Sequence, residues 1–237
     1  MPAPARDHLE SLLRARKLDR TLTSTYDAPD PLDARWVVPT GIPDLDAQLD
    51  GGMPRGHLSE VIGPRSSGRL ATLMSAMAGA TARGEAVAVI DPLDMFDPVS
   101  ASATGVAFER MLWVRGEASS SARVSLSSEY GTLQKALDRA VKALNLVLQA
   151  GGFGLVALDL GEVAPQTIKR LPYTTWLRLH RVIEGSETAC VLIGAEPIAR
   201  SSRGVTIQLG AEGRARVIRA RKVETERHVC VPLSAAG

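Results

Sequence analysis

The sequence predicts an α/β fold, a mainly parallel β-sheet with helices on both faces and a β-rich C-terminal edge. Short apolar runs typical of buried strands alternate with segments of helical periodicity. A glycine-rich loop follows an early strand and precedes a helix, as in folds that bind ligands at the carboxyl edge of a parallel sheet. A β-rich C-terminal ending is expected to close one edge of the sheet.

The composition predicts one globular domain with short extensions. The chain has 237 residues, of which 45% are hydrophobic, enough for a full α/β core. The net charge is +2, but residues 200–228 carry eight Arg or Lys against three Glu, about +5. The sequence has no apolar run of membrane-spanning length and no signal-peptide pattern. We therefore expect a soluble, cytoplasmic protein and no membrane partner.

The cysteines and histidines argue against a disulfide framework or a metal site. Cys190 and Cys230 both lie in apolar strand-like runs, which is typical of reduced thiols in a cytosolic core. The four histidines lack the spacing of metal ligands. We expect no metal and no cofactor, apart from weak binding of ATP or another anion.

The elements follow in chain order. Residues 1–35 predict an N-terminal helix and linker, before a core domain over 36–232 and a tail over 233–237. The helix is predicted from leucines at helical spacing among charges, which also make it a candidate partner-binding helix: Leu9, Leu12 and Leu13. Apolar runs predict strands at 58–62 and 86–91, and the segments 111–114, 154–159, 189–193 and 205–209 resemble strands of a known family of α/β proteins. Periodicity predicts helices at 70–82, 131–150 and 172–183, and the serine-rich segment 117–128 predicts a flexible connection.

The loop after the first of these strands has the outline of a phosphate-binding loop. Gly63 and Gly68 keep the spacing of G-x-x-x-x-G-K-[ST], in which backbone N–H groups surround phosphates, the lysine reaches them and the hydroxyl ligates magnesium. Arg69 takes the lysine position, and its guanidinium is larger and planar. Leu70 takes the hydroxyl position and offers no oxygen to a metal. The outline is present, but its chemistry is changed.

Together the motifs resemble the core of RecA-type recombinases over about residues 36–232. The run from Thr40 reads T-G-x-x-x-L-D-x-x-L-x-G-G-x-P-x-G, and E-V-I-G-P-x-S-S-G follows it. Asp91 ends an apolar strand before Asp97-Pro98, and Asp159 ends another strand in the position of the Walker B carboxylate. The resemblance implies a RecA-like fold and a degenerate nucleotide- or phosphate-binding site: Gly63, Ser66, Ser67, Gly68, Arg69 and Asp159.

The departures from the family fall on nucleotide chemistry. Leu93, with Asp94 beside it, stands where the family has a water-activating Glu. Ser100 stands at the adenine-stacking tyrosine, and 194–196 replaces the Asn-Gln pair that senses the γ-phosphate. One such group is often worth roughly 3–4 kcal/mol of barrier reduction. We therefore expect no catalytic residues and no nucleotide hydrolysis.

The family's two DNA-binding loops correspond to 161–171 and 196–204, and both are short here. Short loops argue against a recombinase filament, whereas a few arginines can still each neutralise a DNA phosphate. Candidate contacts to DNA or a partner are four arginines: Arg200, Arg203, Arg219 and Arg221.

Within the family the chain most resembles the ImuA proteins of bacterial mutasomes. That resemblance implies a non-catalytic adaptor in SOS-induced, error-prone DNA repair by translesion synthesis. The implied partners are an inactive polymerase of ImuB type and an error-prone C-family DNA polymerase, with RecA as a further candidate. Two alternatives stay open. One is a minimal RecA-type ATPase in which Arg69 and Asp94 replace Lys and Glu, and the other is a SulA-like inhibitor of cell division.

Overall fold

An eight-stranded β-sheet organises the residues that the computed structural model describes, which are 36–116, 126–199, 204–210, 214–219 and 228–230. Its strands are β3 (Leu58–Ile62), β4 (Ala86–Asp91), β5 (Met111–Arg115), β6 (Phe153–Asp159), β7 (Ala189–Gly194), β8 (Thr206–Leu209), β9 (Arg214–Arg219) and β10 (His228–Cys230). A separate two-stranded sheet pairs β1 (Val37–Val38) with β2 (Met53–Pro54).

The strand order is β10-β9-β8-β3-β7-β6-β4-β5. In this spatial order, the six strands β8, β3, β7, β6, β4 and β5 run parallel to one another. The strands β9 and β10 are antiparallel to their neighbours. The mainly parallel sheet and the β-rich C-terminal edge are thereby confirmed. Because β3, β7 and β6 run parallel, the carboxyl ends of β3 and β6 lie at the same end of the sheet, on either side of β7.

Helices lie on both faces of the sheet. They are α1 (Pro43–Gln48), α2 (Arg69–Ala82), α3 (Pro98–Thr104), α4 (Leu126–Ala150), α5 (Pro165–Ile168) and α6 (Tyr173–Ile183), with a short 3₁₀ helix at Phe108–Arg110. None of the helices in the described ranges combines the length and the apolar character needed to cross a membrane.

Alternation along the strands sends side chains into two cores. In β4, Val87 and Val89 face the core that contains α2, whereas Ala88 and Ile90 face the core that contains α4 and α6. Parallel strands covered on both faces read as continuous apolar runs, which is why the sequence predicts them well. The prediction of helices on both faces is confirmed.

The structure corrects one boundary and adds three short helices. Residues 126–128, predicted as part of a flexible connection, belong to α4, because that helix starts five residues before the predicted Gly131. The helices α1, α3 and α5 were not predicted. For α3 a signal existed: Asp97 accepts hydrogen bonds from the backbone as an N-cap, and Pro98 holds the first helical position. These helices span at most seven residues, too few for periodicity to reveal.

The motif around Thr40 builds a turn. The Asp46 carboxylate accepts hydrogen bonds from Thr40 N at 2.7 Å, Thr40 Oγ1 at 2.8 Å and Gly41 N at 3.1 Å. A Cβ at Gly41 would lie 2.3 Å from Ser75 Oγ in α2, so only glycine fits there without displacing Ser75. The motif thus fixes how the chain enters the domain against α2.

We expect Asp46→Ala to lower the free energy of unfolding by about 2 kcal/mol, because three donors lose a charged acceptor. Urea unfolding measures the change. Asp44→Ala is the matched control: Asp44 lies exposed in the same helix, and its loss should change stability by less than about 1 kcal/mol. Equal losses in the two variants would contradict the assigned role of Asp46.

Candidate functional site

The loop between β3 and α2 keeps the form that its glycines predict. A Cβ at Gly63 would lie 2.4 Å from the carbonyl oxygen of Leu209, so only glycine fits beside β8. Gly68 adopts a left-handed φ of 91° directly before α2. Gly63 N also donates a hydrogen bond to the Gly194 carbonyl oxygen at 3.1 Å, which ties the loop to β7. The glycine spacing therefore has a backbone reason that holds with or without a ligand.

The two serines of the loop differ in environment. Ser66 is exposed and adopts a left-handed φ of 60°. Ser67 is buried, and its hydroxyl has no hydrogen-bond partner among the residues that the structure describes. Buried hydroxyls are usually paired. The loop thus keeps one polar group that is able to meet an anion or a water.

Both altered positions of the motif are engaged inside the protein. Arg69 is only 7% exposed. Its Nη1 donates to the Gly161 carbonyl oxygen at 3.1 Å, and its Nη2 donates to Glu162 Oε1 at 3.3 Å. Leu70 packs against the core that contains α2. The cation is therefore paired within the protein, and the residue at the metal-ligand position packs against the core.

Asp159 ends β6 next to this ion pair and is 7% exposed. It accepts a hydrogen bond from Gly161 N at 2.9 Å. Burial raises the pKa of Asp159 to about 6, because the Gly161 N–H and the charge of Arg69 offset the desolvation only in part and Asp91 adds repulsion. A Cβ at Gly161 would lie 3.1 Å from Asp159 Oδ1 and 3.2 Å from Arg69 Cζ. The carboxylate and the guanidinium thus crowd the same glycine.

Asp94, the neighbour of Leu93, is held by Arg115. Arg115 Nε and Nη2 donate to the two carboxylate oxygens of Asp94, each at 2.8 Å. These hydrogen bonds and the charge of Arg115 hold the pKa of Asp94 below its ordinary value. Trp113 lies under the guanidinium, with 4.4 Å from Arg115 Cζ to the ring centroid. Leu93 itself packs against the core that contains α4.

Two other carboxylates, one at the end of β4 and one after it, accept hydrogen bonds from the backbone of the following turns. Asp91 is buried and accepts hydrogen bonds from the backbone N–H groups of Met95 and Phe96, both at 2.9 Å. Asp97 caps α3 and accepts from both the N–H and the hydroxyl of Ser100. Ser100, at the position of the family's adenine-stacking tyrosine, is therefore part of a helix cap.

The described parts of the two shortened loops contact each other and the sheet. Lys169 Nζ lies 3.0 Å from Glu196 Oε2, which joins the segment after β6 to the segment after β7. Glu60, buried in β3, accepts hydrogen bonds from Ile198 N and Ala199 N, both at 2.6 Å. A carboxylate from a central strand thus holds the backbone at Ile198 and Ala199.

The structure brings some predicted site residues together. Gly63, Ser67 and Arg69 meet at the end of β3, and Arg69 reaches Gly161 beside Asp159. Arg219 is the last residue of β9, and its side chain is not among those described. The remaining predicted contact residues lie outside the described residues: Leu9, Leu12, Leu13, Arg200, Arg203 and Arg221.

Sequence reasoning missed Glu162 and Gly161, the partners of Arg69. A signal was present, since a buried arginine requires an anionic or carbonyl partner. Glu162 lies three residues after Asp159, within reach of the loop that carries Arg69. Sequence separation hid the pair, because 93 residues separate Arg69 from Glu162.

Within the described ranges, no three His, Cys, Asp or Glu side chains come together as metal ligands could. Cys190 is a free thiol buried in β7, and burial raises its pKa to about 12. A thiol with this pKa is a core residue and not a nucleophile at neutral pH.

Part of the sequence is similar to RecA proteins. Residues 33–124 match the RecA N-terminal domain. The chain is 42% identical over 74 residues to Protein RecA of Prochlorococcus marinus strain MIT 9303, covering 31% of this chain and 20% of that protein. It is 32% identical over 124 residues to Protein RecA of Saccharopolyspora erythraea, covering 52% of this chain and 31% of that protein. The chain thus spans less than a third of the length of these curated relatives, and over the matched region it is RecA-like.

Removal of the Arg69 guanidinium tests its structural role. We expect Arg69→Ala to lower the free energy of unfolding by about 1.5–3 kcal/mol, because a buried charge-assisted pair is lost. Arg65→Ala is the control: Arg65 is 77% exposed and lies 3.8 Å from the same Glu162, so its loss should change stability by less than about 1 kcal/mol. If both variants unfold like the wild type in urea, Arg69 is not holding the two loops together.

The raised pKa of Asp159 predicts a pH dependence of stability. A folded-state pKa near 6 lies above the ordinary value of 3.8. Asp159 therefore favours folding most below pH 4, and this contribution is lost as the pH rises through 6. Relative to Asp159→Asn, we expect the wild type to lose about 1.5–3 kcal/mol of unfolding free energy between pH 4 and 7. Urea unfolding at several pH values measures this difference, and a difference that stays constant with pH would contradict the assignment.

Proposed function

We propose that this chain is a non-catalytic RecA-like accessory protein of SOS-induced, error-prone DNA repair, where it acts as an adaptor in translesion synthesis. The observation that carries this proposal is the engagement of Arg69. In a nucleotide-hydrolysing loop the lysine at this position reaches the phosphates. Here the guanidinium is buried and bonded to Gly161 and Glu162.

Phosphoryl transfer depends on a cation at the phosphates, a magnesium site and a residue that orients the attacking water. In this chain Glu162 pairs with the cation, and the partly buried Leu70 packs against the core and offers no oxygen to magnesium. The minimal-ATPase alternative assigns the chemistry to Arg69 and Asp94. Both side chains already have partners, since Arg115 holds Asp94 at 2.8 Å. This arrangement supports a site without turnover.

The surroundings of Asp159 also disfavour magnesium. In a Walker B strand this carboxylate helps to hold the metal ion. Here the Arg69 guanidinium carbon and Asp159 Oδ1 both lie within 3.2 Å of the point where a Cβ would stand on Gly161. A positive charge so close to the carboxylate repels a divalent cation and weakens its binding.

A core without turnover acts through its surfaces. The partners that we propose are an inactive polymerase of ImuB type, an error-prone C-family DNA polymerase and, as a further candidate, RecA. The likeness to RecA proteins over residues 33–124 supports a place in DNA repair. We also propose weak contact with DNA backbone through the basic C-terminal region: Arg200, Arg203, Arg219 and Arg221.

Titration calorimetry with ATP and magnesium at low salt tests the inactive site. We expect no heat of binding, because the cation and the metal site are both altered. In a separate ATPase assay, we expect the wild type to release phosphate no faster than Asp159→Ala. Turnover that Asp159→Ala abolishes, and that persists through further purification, would instead establish the ATPase alternative.

Binding to purified candidates tests the adaptor role. Surface-immobilised chain should bind the ImuB-type polymerase homologue of the same organism and not the cell-division GTPase, which serves as the control protein. Binding to the division GTPase alone would favour the SulA-like alternative.

A further inference from the structure

The groove between α4 and α6 lies in the helix layer opposite α2. It has a volume of about 580 Å³, within the range of sites that hold large apolar groups. Val141 and Leu179 contribute to its lining, and Leu146 stands beside them with 65% of its surface exposed. One exposed leucine is ordinary, but here it borders a concave apolar surface.

The charges around the groove are mostly positive. Lys142 and Arg178 line it, and neither forms an ion pair within 4 Å with a described residue. Asp138 is the one acid in the described lining, and it accepts a hydrogen bond from Gln134 at 3.2 Å. Residues 131–150 hold three Lys or Arg against this one acid, and residues 164–183 hold four Lys or Arg and no acid. The surface therefore favours an anionic partner.

Protein fits this groove better than nucleic acid. Proteins that hold single strands without sequence preference stack bases on aromatic rings, and no aromatic ring stands among the described residues that line the groove. The lining instead combines aliphatic side chains with two cations. An amphipathic helix that presents large apolar residues beside Asp or Glu would match both features.

We infer that the α4–α6 groove is the docking site for an acidic amphipathic segment of a partner protein. Leu146 and Val141 contact its apolar side chains, and Lys142 and Arg178 pair with its carboxylates. The inference deepens the proposed adaptor function and rests on it for the biological setting. The binding itself requires no nucleotide, so the groove can be tested apart from the phosphate-binding loop.

The test selects peptides of roughly 16 residues, about four helical turns, from a phage-displayed library against the purified full-length chain. Enriched peptides are synthesised with a fluorescein label, and their binding is measured by fluorescence polarisation at about 0.1 M salt. We expect them to combine Asp or Glu with Leu or Phe. Leu146→Asp and Arg178→Glu should each weaken binding by about tenfold or more.

Matched variants control for the charge changes. Leu177→Asp and Arg181→Glu introduce the same changes at exposed positions of α6 outside the groove lining, and each should weaken binding by less than about threefold. All variants are checked for an unchanged Tm, and Lys142→Glu replaces Arg178→Glu if that variant unfolds.

Four outcomes would overturn the inference. They are no enriched peptide, enriched peptides without acids, equal binding by groove and control variants, and self-association that Leu146→Asp abolishes, which would make the groove an interface between copies. If an oligothymidylate binds in a way that Arg178→Glu weakens, while peptide binding does not depend on the groove, the face is a nucleic-acid surface instead.

Discussion

The buried guanidinium of Arg69 joins the start of α2 to the loop after β6. The charge balance of the candidate site depends on this link. A buried cation is stable only when it is paired, and Glu162 and the Gly161 carbonyl provide the pairing. The same contacts place positive charge beside Asp159. In a loop whose form serves a phosphate in other proteins, the cation is paired here within the protein.

The retained motif residues share one use, which is to satisfy backbone donors. Asp46, Glu60, Asp91 and Asp97 each accept hydrogen bonds from backbone N–H groups in turns or loops. Such donors must find acceptors when the chain folds, so these carboxylates remain useful whether or not a nucleotide binds. Asp159, a retained position of nucleotide chemistry, holds Gly161 N in the same way. Arg69, Leu70 and Leu93, which differ from the family, accept no backbone donor in the described contacts. This division fits the proposal that the fold is kept while its nucleotide chemistry is altered.

The two faces of the sheet carry different features. The face with α2 carries the altered phosphate-binding loop, and the face with α4 and α6 carries the groove. Neither requires the other for its chemistry, since the groove is lined from the helix layer alone. This separation is compatible with the proposed adaptor role, in which partner binding requires no nucleotide.

The sequence by itself determined the fold class, the parallel core strands and the loop between β3 and α2, because these follow from local periodicity and from glycine spacing. It also located the altered positions at Arg69, Leu70 and Leu93. Only the tertiary structure decided what those positions do. Arg69 meets Gly161 across 92 residues of chain, and Arg115 holds Asp94 across 21. Such pairings depend on how strands are ordered in the sheet, and no local pattern in the sequence encodes that order.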